Sequence, residues 1–542
     1  MNQLFTEQFN HDPSWNDVYP RPQMKRRNWQ SLNGIWSADN GDTCEVPFCP
    51  ESALSGTTQD FGEHYTLSTH FTLDPSLNGD VILLHFGAVD QVAHIYLNGE
   101  VLGTHENGYL PFTFEINKAS LSVVNELSVE ITDNLDPCYP YGKQKRKRGG
   151  MWYTAVSGIW QTVWLEAVPA LYIREIQVET SGSSVSIKKY LSDGTTETDQ
   201  KTVEDPHLWY PEDPYLYRET VTHGEDEVEI YYAFRSIAIH GREVYLNNEP
   251  LFLNGVLDQG YYPDGIFTPA SPLEYERDIL RMKELGFNTL RKHIKLEPDI
   301  FYYYCDLNGM LVFQDMINNS DYSFFRDTAL PALFPSAKHD DRKAHKDTRS
   351  REQFLSSMRA IMWQLQNHPS VIGYTIFNEG WGQFDSDHLY ELAKRLDPSR
   401  LIDSTSGWFA QNKSDLSSQH FYFDFQRNRM KKAIRETDRP VFLSEFGGFS
   451  LRIDGHTYAD KEYGYEKVKD TDSLTNRIIR EYENLIFPYI KKGICGCIYT
   501  QLSDIEDEIN GFYTYDRKVC KVEKERIREL SRKVIDRMRG VS

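Results

Sequence analysis

The sequence predicts a multidomain β plus α/β protein: a β-sandwich, a second and shorter immunoglobulin-like β-sandwich, and a (β/α)8 TIM barrel. Three observations carry that prediction. Up to about residue 170 short apolar runs alternate with turn signals and no long helical period intervenes. From 171 to 240 a second strand-rich stretch is punctuated by prolines. After Glu249 the order becomes strand, helix, strand, helix, with eight apolar strands in about 290 residues, close to the roughly 250 of a typical barrel. The 542 residues suit about three domains at roughly 100–200 each, which we place at 1–170, 171–240 and 241–542.

In the first domain the runs are VILLHFGA (81–88), VAHIYLNGE (92–100), LSVEITDN (127–134) and IWQTVWLEAV (159–168). Asn98-Gly99 stands between two β-type runs, the strongest short-range hairpin signal. The second stretch holds IREIQVET, VSIKKYL and EVEIYYAF, with LWYPEDPYLY at 208–217. At about 70 residues it is short of the roughly 100 of a seven-stranded immunoglobulin-like sandwich, so a trimmed one is expected.

In the third domain the strands are LFLNGV (251–256), NTLRKHI (288–294), MLVFQDM (310–316), VIGYTIFNE (371–379), LIDSTS (401–406), SQHFY (418–422), PVFLSEF (440–446) and GCIYTQL (496–502). The first helix is expected over 272–285, with Ser271 as N-cap, Pro272 in the first turn and Gly286 closing it. A polar insertion, 317–347, follows the third strand. Between Ser406 and Ser418 the connection is too short and polar for a full helix, so the fifth helix should be absent.

Composition excludes several functions. There are 59 Lys plus Arg against 80 Asp plus Glu, a net charge of −21, which disfavours nucleic acid and anionic membrane surfaces as partners. No stretch of about 18 apolar residues occurs, and the first residues lack a basic and apolar leader pattern, so the expected location is cytoplasmic. The seven cysteines are sparse, and Cys495 and Cys497 read as small core residues on an apolar strand, not as metal ligands. Aromatic content is 13%, suited to stacking on sugar faces but equally to ordinary cores. The basic run KQKRKR at 143–148 reads as a solvated or site-edge loop.

Barrels of this kind hold their reactive groups at the C-terminal strand ends. Gathered there are Asn254, Arg291, His293, Gln314, Asp315, Asn378, Glu379, Asp403, His420, Tyr422, Glu445, Gln501 and Asp504. Glu379 and Glu445 each end an otherwise apolar strand, the fourth and the seventh. Two carboxylates across one barrel mouth match glycosidic cleavage, in which one donates a proton to the departing oxygen and the other meets the oxocarbenium-like carbon. Among the rest, His293 and His420 are expected to face the site. Asp315 either touches a sugar or pairs with Arg291. Trp381 and Trp408 either stack on a sugar or cover the barrel top, and Tyr422 is a candidate to orient Glu445 through its hydroxyl.

The segments NHPSVIGYTIFNEGWGQFD (367–385) and RPVFLSEFGG (439–448) resemble glycoside hydrolase family 2, the β-galactosidases, β-glucuronidases and β-mannosidases. RPQMKRRNWQSLNGIW (21–36), VDQVAHIYLNGEVLGTHENGYLPFTFEI (89–116) and GGMWYTAVSGIWQTVWLE (149–166) resemble that family's jelly-roll sugar-binding domain, and LWYPEDPYLY the end of its immunoglobulin-like domain. The resemblance implies Glu379 as general acid/base, Glu445 as nucleophile and Asn378 as ligand of the sugar 2-hydroxyl, with no metal or organic cofactor. It implies a retaining, exo-acting β-glycosidase, β-galactosidase-like, acting on an oligosaccharide or glycoside, and is compatible with a homo-oligomer. The alternatives are a β-glucuronidase, a mannoside, glucoside or arabinoside hydrolase, or a non-catalytic carbohydrate-binding protein. A Schiff-base lyase using Lys292 or Lys295 is a further class.

The chain departs from the family where substrate is chosen. Arg291-Lys292-His293-Ile294-Lys295 stands where many members read R-x-S-H-Y-P, and Asn510-Gly511-Phe512 where a glucuronidase should carry Asn-x-Lys. Tyr499 stands where strand eight usually bears a Trp that stacks on the glycone.

Overall fold

The computed structural model describes residues 12–329, 340–423 and 427–540. The N-terminal sandwich packs a four-stranded sheet, ordered Trp29–Ser31, Val163–Val168, Val81–Phe86, Phe112–Asn117, on a six-stranded one ordered Thr43–Val46, Gly34–Ala38, His64–Phe71, Asn125–Thr132, Val92–Leu97, Glu100–Glu106. Alternate residues of Asn125–Thr132 are buried, as a strand facing a core on one side requires. The hairpin predicted at Asn98-Gly99 is present: both residues take positive φ, 53° and 83°, which a two-residue turn between twisted strands demands.

The short second unit has five strands. Ile173–Ser181, Ser184–Leu191 and Thr196–Thr202 form one antiparallel sheet, and Tyr217–His223 pairs with Asp226–Tyr232. Its core of Ile173, Ile176, Val185, Ile187, Val228 and Ile230 is completed by Met24 from the N-terminal segment. Trp209, in the LWYPEDPYLY segment, donates its indole N–H to the Asp306 carbonyl of the barrel at 2.9 Å, which ties the unit to the barrel.

The barrel strands, in chain order, are β1 (Leu253–Asp258), β2 (Thr289–Lys292), β3 (Leu311–Asp315), β4 (Val371–Asn378), β5 (Leu401–Ser406), β6 (Ser417–Phe421), β7 (Val441–Gly447) and β8 (Ile494–Thr500). They form one parallel sheet in the order β5-β4-β3-β2-β1-β8-β7-β6. The outer helices are α1 (Leu273–Glu284), α2 (Asp299–Asn308), α3 (Thr348–Leu365), α4 (Ser386–Leu396), α5 (Arg427–Glu436), α6 (Thr471–Glu481) and α7 (Lys524–Arg539). The first strand begins two residues later than the sequence suggested, because Glu249–Leu251 pairs instead with Glu243–Leu246 in a hairpin.

No helix joins β5 to β6, as expected, and it is between these strands that the backbone ladder is missing. Side chains bridge the seam: Ser418 Oγ donates to Asp403 Oδ2 at 2.6 Å, and Ser406 Oγ lies 2.8 Å from His420 Nε2. Cys495 and Cys497 are buried on β8. Among the described residues no helix is long and apolar enough to cross a membrane.

Candidate active site

Successive residues of a strand point to opposite faces, and on β2 that alternation separates two cations. Arg291 enters the barrel, while Lys292 turns outward, 4.8 Å from the centre of the Phe301 ring on α2. Arg291 is fully buried and all five of its N–H groups are used. Nε and Nη2 donate to the two oxygens of Asp315, both at 2.9 Å. Nη1 donates to the Ser444 carbonyl at 3.0 Å and to Glu445 Oε1 at 2.9 Å, and Nη2 donates also to Asn378 Oδ1 at 2.8 Å. One planar guanidinium thus fixes residues from β3, β4 and β7 relative to one another, which a lysine with three donors on a flexible stem could not do. Because Arg291 takes the amide oxygen of Asn378, the free amide edge is the N–H donor.

Glu445 is buried, and burial alone would raise its pKa. The charges of His420 and Arg291, followed by His293 and the Tyr422 hydroxyl, outweigh that and hold its carboxyl at about 2. It is therefore an anion at neutral pH. The Tyr422 hydroxyl donates to Glu445 Oε2 and lies 3.1 Å from Thr500 Oγ1, while the Tyr422 ring stacks on Tyr465 at 4.1 Å. The sequence expectation that Tyr422 meets Glu445 through its hydroxyl corresponds to this contact.

Glu379 follows β4 directly and has a positive φ of 52°. A non-glycine residue in that left-handed region is strained, here offset by a backbone N–H bond to the Ser406 carbonyl at 2.9 Å and a Glu379 carbonyl that accepts from Trp408 Nε1 at 3.1 Å. Its Oε1 lies at hydrogen-bond distance from His420 Nδ1, 2.9 Å, and His420 Nε2 lies 3.5 Å from Glu445 Oε1. One atom each from Glu379, His420 and Glu445 falls within 4.8 Å of the others. Three such donors could hold a small cation, but Glu445 already accepts from Arg291 and Tyr422, and the buried guanidinium would repel a second positive charge. The arrangement suits two carboxylates acting on one organic substrate.

The other predicted residues are distributed unevenly. His293 reaches Asp315 at 2.7 Å, so Asp315 is committed to both His293 and Arg291. Burial lowers the His293 pKa. Trp408 lies edge-on to His420 at 5.3 Å. Trp381 is buried under Trp152, Tyr141 and Tyr322, at 5.1, 5.4 and 5.7 Å, with its indole N–H on the Ser320 carbonyl, so it covers the barrel top and has no ring face open to a sugar.

Tyr499 requires a correction. It is buried against Phe446, Phe449 and Phe512, and a Cβ at Gly447 would collide with its ring. Its alternation on β8 turns the side chain into the core, and its neighbour Thr500 reaches Tyr422 instead. Lys292 and Lys295 are bound in a separate buried cluster with Asp258 and Glu297, and neither contacts Glu379 or Glu445. Arg291 appeared in the sequence as one strand-end polar residue among many and as a possible partner of Asp315, not as the group that joins Asp315, Asn378 and Glu445. Its central place could have been suspected from its being the one arginine in that set.

The jelly-roll reaches the same mouth. Tyr141 and Gly142 donate their backbone N–H groups to the Asn318 carbonyl, the Tyr153 hydroxyl donates to Glu508 Oε2, the Thr154 N–H donates to Glu506 at 3.1 Å, and Arg148 pairs with Asp507 at 2.7 Å. The 143–148 run is therefore a site-edge loop. No local sequence signal could have paired residues some 350 positions apart.

Comparison with known proteins gives the same architecture. Residues 237–495 match the TIM barrel domain of glycosyl hydrolases family 2, residues 47–181 the glycosyl hydrolase 2 galactose-binding domain-like unit, and residues 168–235 the domain described as glycosyl hydrolases family 2. The chain is 24% identical over 441 residues to a β-galactosidase of Thermoanaerobacter pseudethanolicus, covering 73% of this chain and 54% of that one. It is 23% identical over 442 residues to a putative β-glucuronidase of Formosa agariphila, covering 70% and 50%. It thus spans about half the length of these curated relatives. Among solved structures, a β-D-glucuronidase of Dictyoglomus thermophilum superposes with a TM-score of 0.74 at 18% identity over 95% of this chain and 98% of that one. A β-galacturonidase of Eisenbergiella tayi superposes with 0.73 at 17% identity, over 95% and 99%. At these identities the structural likenesses speak to the fold, whereas the three domain matches run in order along the chain. This protein belongs to glycosyl hydrolases family 2.

Proposed function

We propose that the protein is a retaining, exo-acting β-glycosidase that removes a terminal β-linked sugar by double displacement. The observation that carries this reading is that one carboxylate oxygen of Glu379, one of Glu445 and a ring nitrogen of His420 lie within 4.8 Å of one another at the ends of β4, β7 and β6, which supports the shorter of two carboxyl separations. Retaining glycosidases hold their carboxyl groups about 5–5.5 Å apart, whereas inverting ones need about 6.5–9.5 Å to admit a water.

Glu445, an anion at neutral pH, attacks the anomeric carbon while Glu379 gives its proton to the departing oxygen. Asn378 directs its amide N–H groups at the 2-hydroxyl of the glycone, because Arg291 occupies its oxygen. In the second step Glu379 takes a proton from water, which attacks the anomeric carbon, and Glu445 leaves as a carboxylate. His420 joins the two carboxylates and keeps them in register. The mouth is walled by the 141–154 loop, the start of the 317–347 insertion and the 501–512 segment, which favours a pocket for a chain end over an open cleft.

For the glycone, the curated relatives carry both β-galactosidase and β-glucuronidase names. The β-galactosidase-like reading therefore stands beside a uronide-cleaving one. The test is hydrolysis of nitrophenyl β-galactoside, β-glucoside, β-glucuronide and β-mannoside followed by proton NMR, with Glu445→Gln in parallel. The β-anomer should appear first and the variant should be inactive. The α-anomer appearing first, or a variant as active as the wild type, would refute the reading.

A further inference from the structure

Most cations around the barrel mouth are already engaged, and of the lysines in the 143–148 loop Lys145 and Lys147 are exposed whereas Lys143 is largely covered. Arg291 spends all five donors within the site. Lys292 is paired with Asp258 and Glu297, and Lys295 with Glu297 and the carbonyls of Gly260 and Phe267. Lys521 is bound to Asp504, Arg148 to Asp507 and Arg146 to Glu63. Lys143 is only 9% exposed, yet among the described residues its ammonium has no hydrogen-bond acceptor and no ion-pair partner, only the Trp152 ring with its centre 5.9 Å away. The ammonium still meets solvent at the mouth, so it stands as a cation that, among the described residues, no protein carboxylate neutralises and that a ligand carboxylate can pair with.

The backbone fixes where that ammonium stands. Tyr153 N–H donates to the Lys143 carbonyl at 3.0 Å, and Gly142 donates to the Asn318 carbonyl beyond β3. Gly142 must be glycine: its φ is +62°, and a Cβ there would lie 2.8 Å from the Ile294 carbonyl, so the loop presses against the residue following His293. The Lys143 charge acts on both His293 and Glu508, which places the ammonium near these two residues of the mouth. Glu508 is not its counter-ion at hydrogen-bond distance. The oxygens of Glu508 accept from Tyr153 and Asn510, and burial raises its carboxyl above the ordinary range.

We propose that Lys143, carried into the barrel mouth by the jelly-roll loop, binds a carboxylate on the glycone, so that the preferred substrates are β-uronides. This rests on the glycosidase reading above and supplies its substrate class. It also gives the missing Asn-x-Lys lysine a replacement from another domain: Asn510 is buried and occupied by Gln501 and Glu508, and cannot serve.

The experiment compares kcat/KM for 4-nitrophenyl β-D-glucuronide and β-D-galacturonide with that for the matching glucoside and galactoside, in wild type, Lys143→Met and Lys143→Arg. Wild type should prefer a uronide. In Lys143→Met the uronide-to-neutral ratio should fall about 100-fold, or about 2.7 kcal/mol at 1.36 kcal/mol per decade, and Lys143→Arg should recover part of it. A ratio unchanged in Lys143→Met, or a wild type that prefers the neutral sugar, overturns the proposal. If wild type cleaves none of these four nor the matching mannoside and arabinoside, the glycosidase reading fails and Lys143 is decided by binding alone. Calorimetric titration with D-glucuronate and D-galacturonate should then saturate for wild type and vanish for Lys143→Met, and absence of binding to wild type overturns it.

Discussion

Replacing Tyr422 by Phe removes one hydroxyl and little else, and its effect should separate the two halves of the reaction. The hydroxyl donates to Glu445 Oε2. A hydrogen bond to a charged group is worth about 1.5–3 kcal/mol, a factor of roughly 10–150. During attack, Glu445 loses negative charge, so the bond weakens towards the transition state and its removal slows this step little. During release of the sugar, Glu445 regains its charge, so the bond strengthens and its absence slows the step by most of that factor. Tyr422→Phe should therefore accumulate the glycosyl-enzyme. With a dinitrophenyl glycoside, kcat should fall about 10–100-fold, KM should fall in parallel, and a burst of dinitrophenol equal to the enzyme concentration should precede the steady state. A variant with KM unchanged, kcat reduced and no burst would show that the hydroxyl acts on attack or on folding, and would refute the assignment of Glu445 as leaving carboxylate.

Glu379→Ala should lose kcat/KM by at least about 100-fold more on alkyl than on dinitrophenyl glycosides, since only the poor leaving group needs a proton, and equal losses would remove Glu379 from the acid role. Arg291→Lys leaves buried acceptors of Asp315, Glu445 and Asn378 without donors, and should cost about 2–5 kcal/mol in kcat/KM together with a lower melting temperature, read by nitrophenyl kinetics and calorimetry. Glu445 has a folded pKa of about 2 against an ordinary 4.5. Its ionisation therefore stabilises the fold above about pH 4.5, and that contribution, about 3 kcal/mol, is lost as pH falls towards 2. The melting-temperature difference between wild type and Glu445→Gln should accordingly shift in favour of wild type between pH 2 and 4.5 and stay flat above. Gly407→Ala would place a Cβ 2.9 Å from His420 Nδ1 at a φ of +93°. It should lower kcat through displacement of His420, with a stability loss of about 1–3 kcal/mol by thermal melting.

What the sequence disclosed followed from its local physics. The eight apolar runs of the barrel, the Asn98-Gly99 turn and the missing fifth helix are written in hydrophobic period and turn chemistry, which act over a few residues. Glu379 and Glu445 stood out because both end apolar strands that open onto one barrel mouth. Tyr499 misled because an aromatic residue on a barrel strand can face either way, and here Phe446, Phe449 and Phe512 claim it for the core. Trp381 stayed open between a sugar face and the barrel top, because its partners Trp152, Tyr141 and Tyr322 come from the first domain and the insertion, so its burial is decided by distant chain.

The same distance explains why substrate choice is hard to read from the barrel alone. The proposed catalytic pair, Arg291 and Asn378 all lie on barrel strands or directly after them, and their spacing is set by the eight-stranded parallel sheet. The rim is assembled from three separate stretches, 141–154, 317–329 and 501–512, which meet only after the domains dock. Chemistry so placed can stay constant while the rim changes. A lysine lost from the segment after β8 can then be replaced by one arriving from the jelly-roll, without disturbing Arg291 or the carboxylates it positions. The departures from the family pattern at 291–295 and 510–512 each lie beside a part of the mouth's wall. The first supplies outward lysines, Lys292 and Lys295, that brace the wall through Asp258 and Glu297. Just before the second, Glu506, Asp507 and Glu508 dock the jelly-roll loop through Thr154, Arg148 and Tyr153, and so hold Lys143 at the mouth.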